Sequence, residues 1–170
     1  NMKQITYYTG TEAGEETTDW SKEYNYNGSA IKTVTIYIVD DAGALQDTTV
    51  YKNVDDTNDP DIKPTAGELA VTTDYLKKSF TDYVGTVKGD EKANFTQNFK
   101  PDGIAIETTT NYYYYAGVYV AGDTIPAGSE IGDPRPAERA DGTNVNADSY
   151  MTRSETMRGS NPLNLKQITY

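Results

Sequence analysis

The segment Ala30-Ile31-Lys32-Thr33-Val34-Thr35-Ile36-Tyr37-Ile38-Val39 is β-branched almost throughout. Such side chains crowd a helix and fit a pleated surface. Val34, Ile36 and Ile38 share one face of the strand; Ile31, Tyr37 and Val39 share the other. A strand that is apolar on both faces belongs in the middle of a sheet. Asp40-Asp41-Ala42-Gly43 follows, and then Thr48 to Val54, also rich in strand formers. The pattern predicts a β-hairpin closed by an Asp/Gly turn.

Composition extends this reading to the whole chain. Tyrosine supplies 15 of the rings, against 3 Phe and 1 Trp. Each tyrosine brings apolar area with a hydroxyl for water or a partner, which suits half-exposed sheets and interfaces. Hydrophobic residues make up only 36% of the 170 residues, so a modest core is expected. The expected fold is mainly β, an antiparallel sheet or sandwich with one short amphipathic helix and a long extended C-terminal arm.

Several function classes drop out. The chain has no Cys and no His, so disulfides, thiolate chemistry, Cys-based zinc sites and imidazole bases are excluded. A net charge of −11 disfavours nucleic acid and anionic membrane as partners. No apolar run is long enough to span a bilayer as a helix.

Along the chain, Lys3 to Thr9 reads as a short strand, and Thr11 to Asn27 as a surface loop around Trp20. Residues 72–84 read as a helix: Thr72 or Thr73 caps it, Leu76, Phe80, Tyr83 and Val84 form its stripe, and Gly85 stops it. Residues 104–109 and 112–121 read as strands, the second aromatic on both faces through Tyr112, Tyr113, Tyr114 and Tyr115. Beyond residue 132 large apolar side chains are few. The expected division is a β-rich body, 1–132, and an assembly arm, 133–170, that gains order from other copies.

Two features point to assembly. All four arginines, Arg135, Arg139, Arg153 and Arg158, lie in the arm, whereas lysine is the only cation of the acidic body. Guanidinium groups make forked bonds to carboxylates and are enriched at interfaces. The bland reading is a disordered tail with incidental arginines. The second feature is a repeat: Asn1-Met2-Lys3-Gln4-Ile5-Thr6-Tyr7 recurs as Asn164-Leu165-Lys166-Gln167-Ile168-Thr169-Tyr170 with one change, Met to Leu. A tandem array with a period of 163 residues, equivalent edge strands in an assembly, and an artefact of sequence assembly all account for it. Ile168, Tyr170, the four arginines and Tyr112 to Tyr115 are therefore the candidate interface residues.

The stretch Tyr119 to Gly132, with Ile125-Pro126-Ala127-Gly128 at its centre, resembles a turn of tailed-phage capsid decoration and head- or tail-fibre proteins. Val71 to Tyr83 resembles short helical joints of phage fibres. The resemblance implies a structural protein of a virion, with copies of itself and other capsid or fibre proteins as partners and no catalytic residues.

Two site chemistries compete with this. Asp55, Asp56, Asn58, Asp59 and Asp61 crowd a Pro-containing loop, and hard oxygen ligands suit Ca²⁺. Their spacing is not that of an EF-hand, and a solvated acidic loop is the simpler account. The Tyr112–Tyr115 run offers rings for stacking on sugars, although aromatic strands more commonly face a core or an interface. No cofactor other than calcium is suggested. The sequence thus points to a non-enzymatic virion subunit acting by homo-oligomeric assembly. The alternatives are a secreted prokaryotic surface filament subunit or tandem-repeat adhesin, and then a carbohydrate-binding module.

Overall fold

The computed structural model describes residues 2–55 and 62–170. They form one open sheet in which nine strands follow one another in chain order: β1 (Gln4–Thr9), β2 (Thr17–Tyr24), β3 (Ile31–Val39), β4 (Leu45–Asn53), β5 (Tyr75–Val84), β6 (Lys92–Phe99), β7 (Ile106–Tyr114), β8 (Met151–Arg158) and β9 (Leu165–Thr169). Every consecutive pair is antiparallel. The sheet does not close, so β1 and β9 are its two edges, and they run in the same direction.

The β3–β4 hairpin forms as its residues predict. The Asp40 carboxylate accepts from the Ala42 and Ala44 N–H groups, both at 2.9 Å. Gly43 takes φ +80°, a conformation that a side chain disfavours.

Opposed residues share a face, so one face can be followed across the sheet. Tyr7, Trp20, Ile36, Thr49, Phe80, Gln97, Thr109 and Met157 are successive partners. This face carries the core. Trp20, Val34, Ile36 and Tyr75 are buried together, with Tyr7, Ile31, Tyr51 and Leu69 packed against them. Leu69 ends the single helical turn α1 (Ala66–Leu69), which carries a Thr65/Glu68 capping box and lies in the β4–β5 connection. Further along, the same face is covered by the chain between β7 and β8, where Arg139 lies over the Phe95 ring at 5.9 Å. The opposite face is a polar row: Thr48, Thr81, Thr96, Thr110 and Thr156 are successive partners. Two of these pairs share hydroxyl hydrogen bonds of 2.9 Å.

Several expectations need correction. The helix over 72–84 does not form, because Tyr75–Val84 is β5, paired on both sides. Its apolar residues fit a helical stripe, but Tyr75, Phe80, Thr81, Tyr83 and Val84 are also strand formers, and β4 and β6 pair with this segment on either side. The turn of helix lies upstream. The loop expected around Trp20 is instead β2, whose Trp20, Lys22 and Tyr24 alternate with Asp19, Ser21 and Glu23. The strand expected over 112–121 leaves the sheet after Tyr114, and the one expected over 104–109 is its beginning. Residues 133–170 are not an arm set apart from the body. Met151–Arg158 lies between β7 and β9, and its Met157 is buried. Backbone ladders and threonine pairs hold it there, and neither needs a large apolar side chain. The Pro126–Gly128 turn does form, with the Ser129 N–H donating to the Pro126 carbonyl at 3.1 Å and Gly128 at φ +92°. No strand restarts at Ile131, which is exposed.

Candidate assembly interface

The arginines expected to reach a neighbouring copy bind their own chain. Arg135 pairs with Asp123 and donates to the Asn144 side chain at 2.7 Å and the Val118 carbonyl at 3.0 Å. The Val120 N–H and Arg135 together hold the Asp123 carboxyl below its ordinary range. Arg139 forks onto Asn94 Oδ1 through Nε (3.0 Å) and Nη2 (2.7 Å). Arg153 lies 4.4 Å from the Tyr113 ring centre. Its Nε is 3.1 Å from Glu155 Oε1, an ion pair whose angle does not make a hydrogen bond. Only Arg158 keeps its side chain exposed without an ion pair to a described carboxylate.

The tyrosine run is likewise satisfied within the chain. Tyr112 donates to the Thr96 hydroxyl (3.1 Å), Tyr113 to Glu155 (3.0 Å) and buried Tyr114 to the Ala93 carbonyl (2.8 Å). Tyr115 stacks on Tyr150 with ring centres 5.2 Å apart. Of the expected calcium ligands, only Asp55 lies within the described residues; Asp56, Asn58, Asp59 and Asp61 lie outside them.

The two sheet edges are open toward a partner, and the described residues of the repeated heptapeptide lie at both. Lys3–Tyr7 falls just before and on β1, and Lys166–Tyr170 on and just after β9. The two copies use opposite backbone edges. The Tyr24 N–H donates to the Lys3 carbonyl at 2.8 Å. Antiparallel pairing alternates, so Lys3, Ile5 and Tyr7 turn their N–H and C=O groups toward β2, while Gln4 and Thr6 turn theirs outward. At the other edge the Gly159 N–H donates to Glu107 and the Arg158 N–H to Asn164. Alternation then points Thr156 and Ser154 toward β9, opposite Gln167 and Thr169. A bulge between Thr156 and Met157 sets this phase. Gln167 and Thr169 therefore face β8, and Ile168 and Tyr170 face outward. In one copy of the heptapeptide the Ile/Tyr edge is used; in the other it is the Gln/Thr edge.

The side-chain faces agree as well. Ile168 opposes Glu155, which lies two residues from Met157, the last member of the row that starts at Tyr7. Ile5, Tyr7, Ile168 and Tyr170 thus project from the same face of the sheet. A slip of one residue would have reversed this. On β1, Tyr7 lies flat on Trp20, with centroids 4.3 Å apart and planes within 4°. The ammonium of fully buried Lys22 sits 5.3 Å from the Tyr7 ring centre, and 5.8 Å from those of Trp20 and Tyr24. At the other edge, Tyr170 is 89% exposed.

No protein-family model matches the chain, and neither does any curated protein or any solved structure.

Proposed function

We propose that this chain is a structural unit whose sheet is continued from copy to copy. Lys166–Tyr170 of one copy stands where Lys3–Tyr7 stands against β2 of the next. The single observation that carries this reading is that the same heptapeptide sits on both edges of one open sheet, on the same face, with opposite backbone edges engaged. A strand of this sequence satisfies β8 with Gln and Thr and a following β2 with Ile and Tyr. Its direction also fits, since β1 and β9 run the same way. The result is an extended β-ribbon with eight strands per copy, acting by assembly and not by catalysis. Such a ribbon suits a prokaryotic surface filament or a tandem-repeat adhesin stalk. A virion decoration or fibre subunit is the second reading, and the Ile125–Gly128 turn supports it.

The test uses two proline variants of the full chain, because proline removes one N–H. In Ile5→Pro the lost N–H is one that faces β2, so β1 is released and β2 is opened to another copy. In Ile168→Pro the lost N–H faces outward, so pairing with β8 survives while continuation is blocked. Ile5→Pro is expected to form linear oligomers by mass photometry, and Ile5→Pro/Ile168→Pro to be monomeric. The synthetic heptapeptide Asn-Leu-Lys-Gln-Ile-Thr-Tyr, added in excess, should return Ile5→Pro to monomers. A folded Ile5→Pro chain that stays monomeric and ignores the peptide refutes the proposal. Should Ile5→Pro unfold, failure of the peptide to refold it refutes the proposal equally.

A further inference from the structure

The lysines are dispersed in the sequence, yet the sheet gathers many of them at one end. Strands β4, β6 and β8 finish at this end, and β5, β7 and β9 begin there. A cleft of about 530 Å³ opens here, walled by Lys52, Lys77, Lys78, Lys100 and Lys166. A second cleft of about 520 Å³ adjoins it, sharing Lys100 and Lys166 and adding Arg158. Six of the fifteen cations of a chain with net charge −11 thus surround one continuous groove.

These cations are not closely paired by the fold, although Asp47 and Asp102 lie within electrostatic reach of Lys77 and Lys100. None of the six forms an ion pair with a described carboxylate. Glu107 is the only acid among the described residues that line the groove. Lys77 is half-buried over the Phe99 ring, whereas the side chains of the other five make no described hydrogen bond or ring contact. Lys52, Lys78, Lys100, Lys166 and Arg158 are all exposed. Crossing from β4 to β9 takes five strand spacings, about 24 Å in all. That length suits a polymer better than a single ion.

We propose that this groove binds an acidic polysaccharide or related polyol polymer bearing sulfate or phosphate groups. The cations would meet its anions, and Asn98 and Thr108, on the groove wall, offer hydrogen bonds to its hydroxyls. Nucleic acid fits less well. Single strands are held by stacking bases on open rings, and the one ring of the groove, Phe99, is already covered by the Lys77 ammonium at 5.3 Å. The remaining acidic surface also repels a long duplex.

The test is titration of the dilute, monomeric full chain with labelled heparin octasaccharide and with a glycerol-phosphate oligomer, by fluorescence anisotropy at about 50 mM salt. Neutral dextran and duplex DNA serve as comparisons. Binding of at least one anionic polymer is expected, the sulfated or the phosphorylated arm naming the source, with none of dextran. Lys52→Gln/Lys78→Gln/Lys100→Gln should weaken binding about tenfold or more. It should also flatten the dependence of log Kd on log salt by roughly 2, since each lost charge contact removes a slope of about 0.7 to 0.9. The melting curve of the triple variant, which removes no described ion pair, should be unchanged. Absence of binding to both polymers, affinity unchanged in the triple variant, or tighter binding of DNA through the same lysines would overturn the proposal. Because the measurement is made on monomers, its outcome is independent of whether copies join at their edges.

Discussion

Tyr7 and Tyr170 end two copies of the same heptapeptide, and their environments predict opposite consequences for the same substitution. The Tyr7 and Trp20 rings stack with centroids 4.3 Å apart in nearly parallel planes, and Tyr7 is half-buried beside the Lys22 ammonium. Such a stacked pair contributes about 0.5–1.5 kcal/mol beyond the area it buries. Emptying a fully buried aromatic site costs about 3–5 kcal/mol, and Tyr7 is an edge residue buried by half. Tyr7→Ala should therefore cost about 2 kcal/mol. Tyr170 is 89% exposed, so Tyr170→Ala in dilute protein should stay within about 0.5 kcal/mol. Urea unfolding followed by fluorescence reads both, because the chain has one Trp and that indole lies against Tyr7. Where copies join, Tyr170 takes the place of Tyr7 on the next Trp20, so Tyr170→Ala should then weaken assembly by an amount similar to the folding cost of Tyr7→Ala. Equal costs for the two variants in dilute monomer, or a cost below about 0.5 kcal/mol for Tyr7→Ala, would refute this reasoning.

Two further outcomes test other parts of the fold. Asp47 directly opposes Asp82; burial first, and the Asp82 charge second, raise its carboxyl above the ordinary range. The native state then holds a proton that the unfolded chain has released, so this site costs stability as pH rises from about 4 through the native value. Asp47→Asn should stabilise the protein at pH 7 by a few tenths to about 1 kcal/mol, and the gain should vanish near about pH 3; a gain independent of pH would contradict this. Arg139→Lys loses the fork onto Asn94. It should speed proteolysis within residues 115–150 at unchanged global melting temperature, as local opening requires, and unaltered cleavage would show that Arg139 does not hold this segment.

The central hairpin was legible because Ile31–Val39 is apolar on both faces, and a short strand over Lys3–Thr9 was read as well, whereas the repeat at 164–170 left edge strands as one of three accounts. β2 and β8 were hidden for a physical reason. Hydrophobic alternation marks strands that bury one apolar face, whereas the inward positions here include Lys22 in β2 and Arg153 and Glu155 in β8. β8 reads Thr152, Ser154, Thr156 on one side and Met151, Arg153, Glu155, Met157 on the other, and of its two methionines only Met157 is buried. β5 misled because Leu76, Phe80, Tyr83 and Val84 match a helical stripe, and spacing alone does not count the Ser, Thr and Tyr between them. Two of the four arginines meet carboxylates, Arg135 at Asp123 and Arg153 at Glu155, both in the same chain, while Arg139 meets the Asn94 amide. The basic groove had no signal in the sequence, since Lys52, Lys77, Lys78, Lys100, Arg158 and Lys166 meet only once six strands are laid side by side.

Continuation of the sheet is tested most directly by trapping its register with a disulfide. Gln4 and Glu23 oppose each other as a non-hydrogen-bonded pair, with the close Cα approach of about 4.5 Å that a disulfide accepts. Gln167 is the counterpart of Gln4, and the chain has no cysteine of its own. Glu23→Cys/Gln167→Cys in the Ile5→Pro chain should, on mild oxidation, give a ladder of covalent oligomers on a non-reducing gel. Glu23→Cys/Ile168→Cys, one residue out of register and on the opposite face, should not. No ladder from the first pair, or equal ladders from both, would contradict the account.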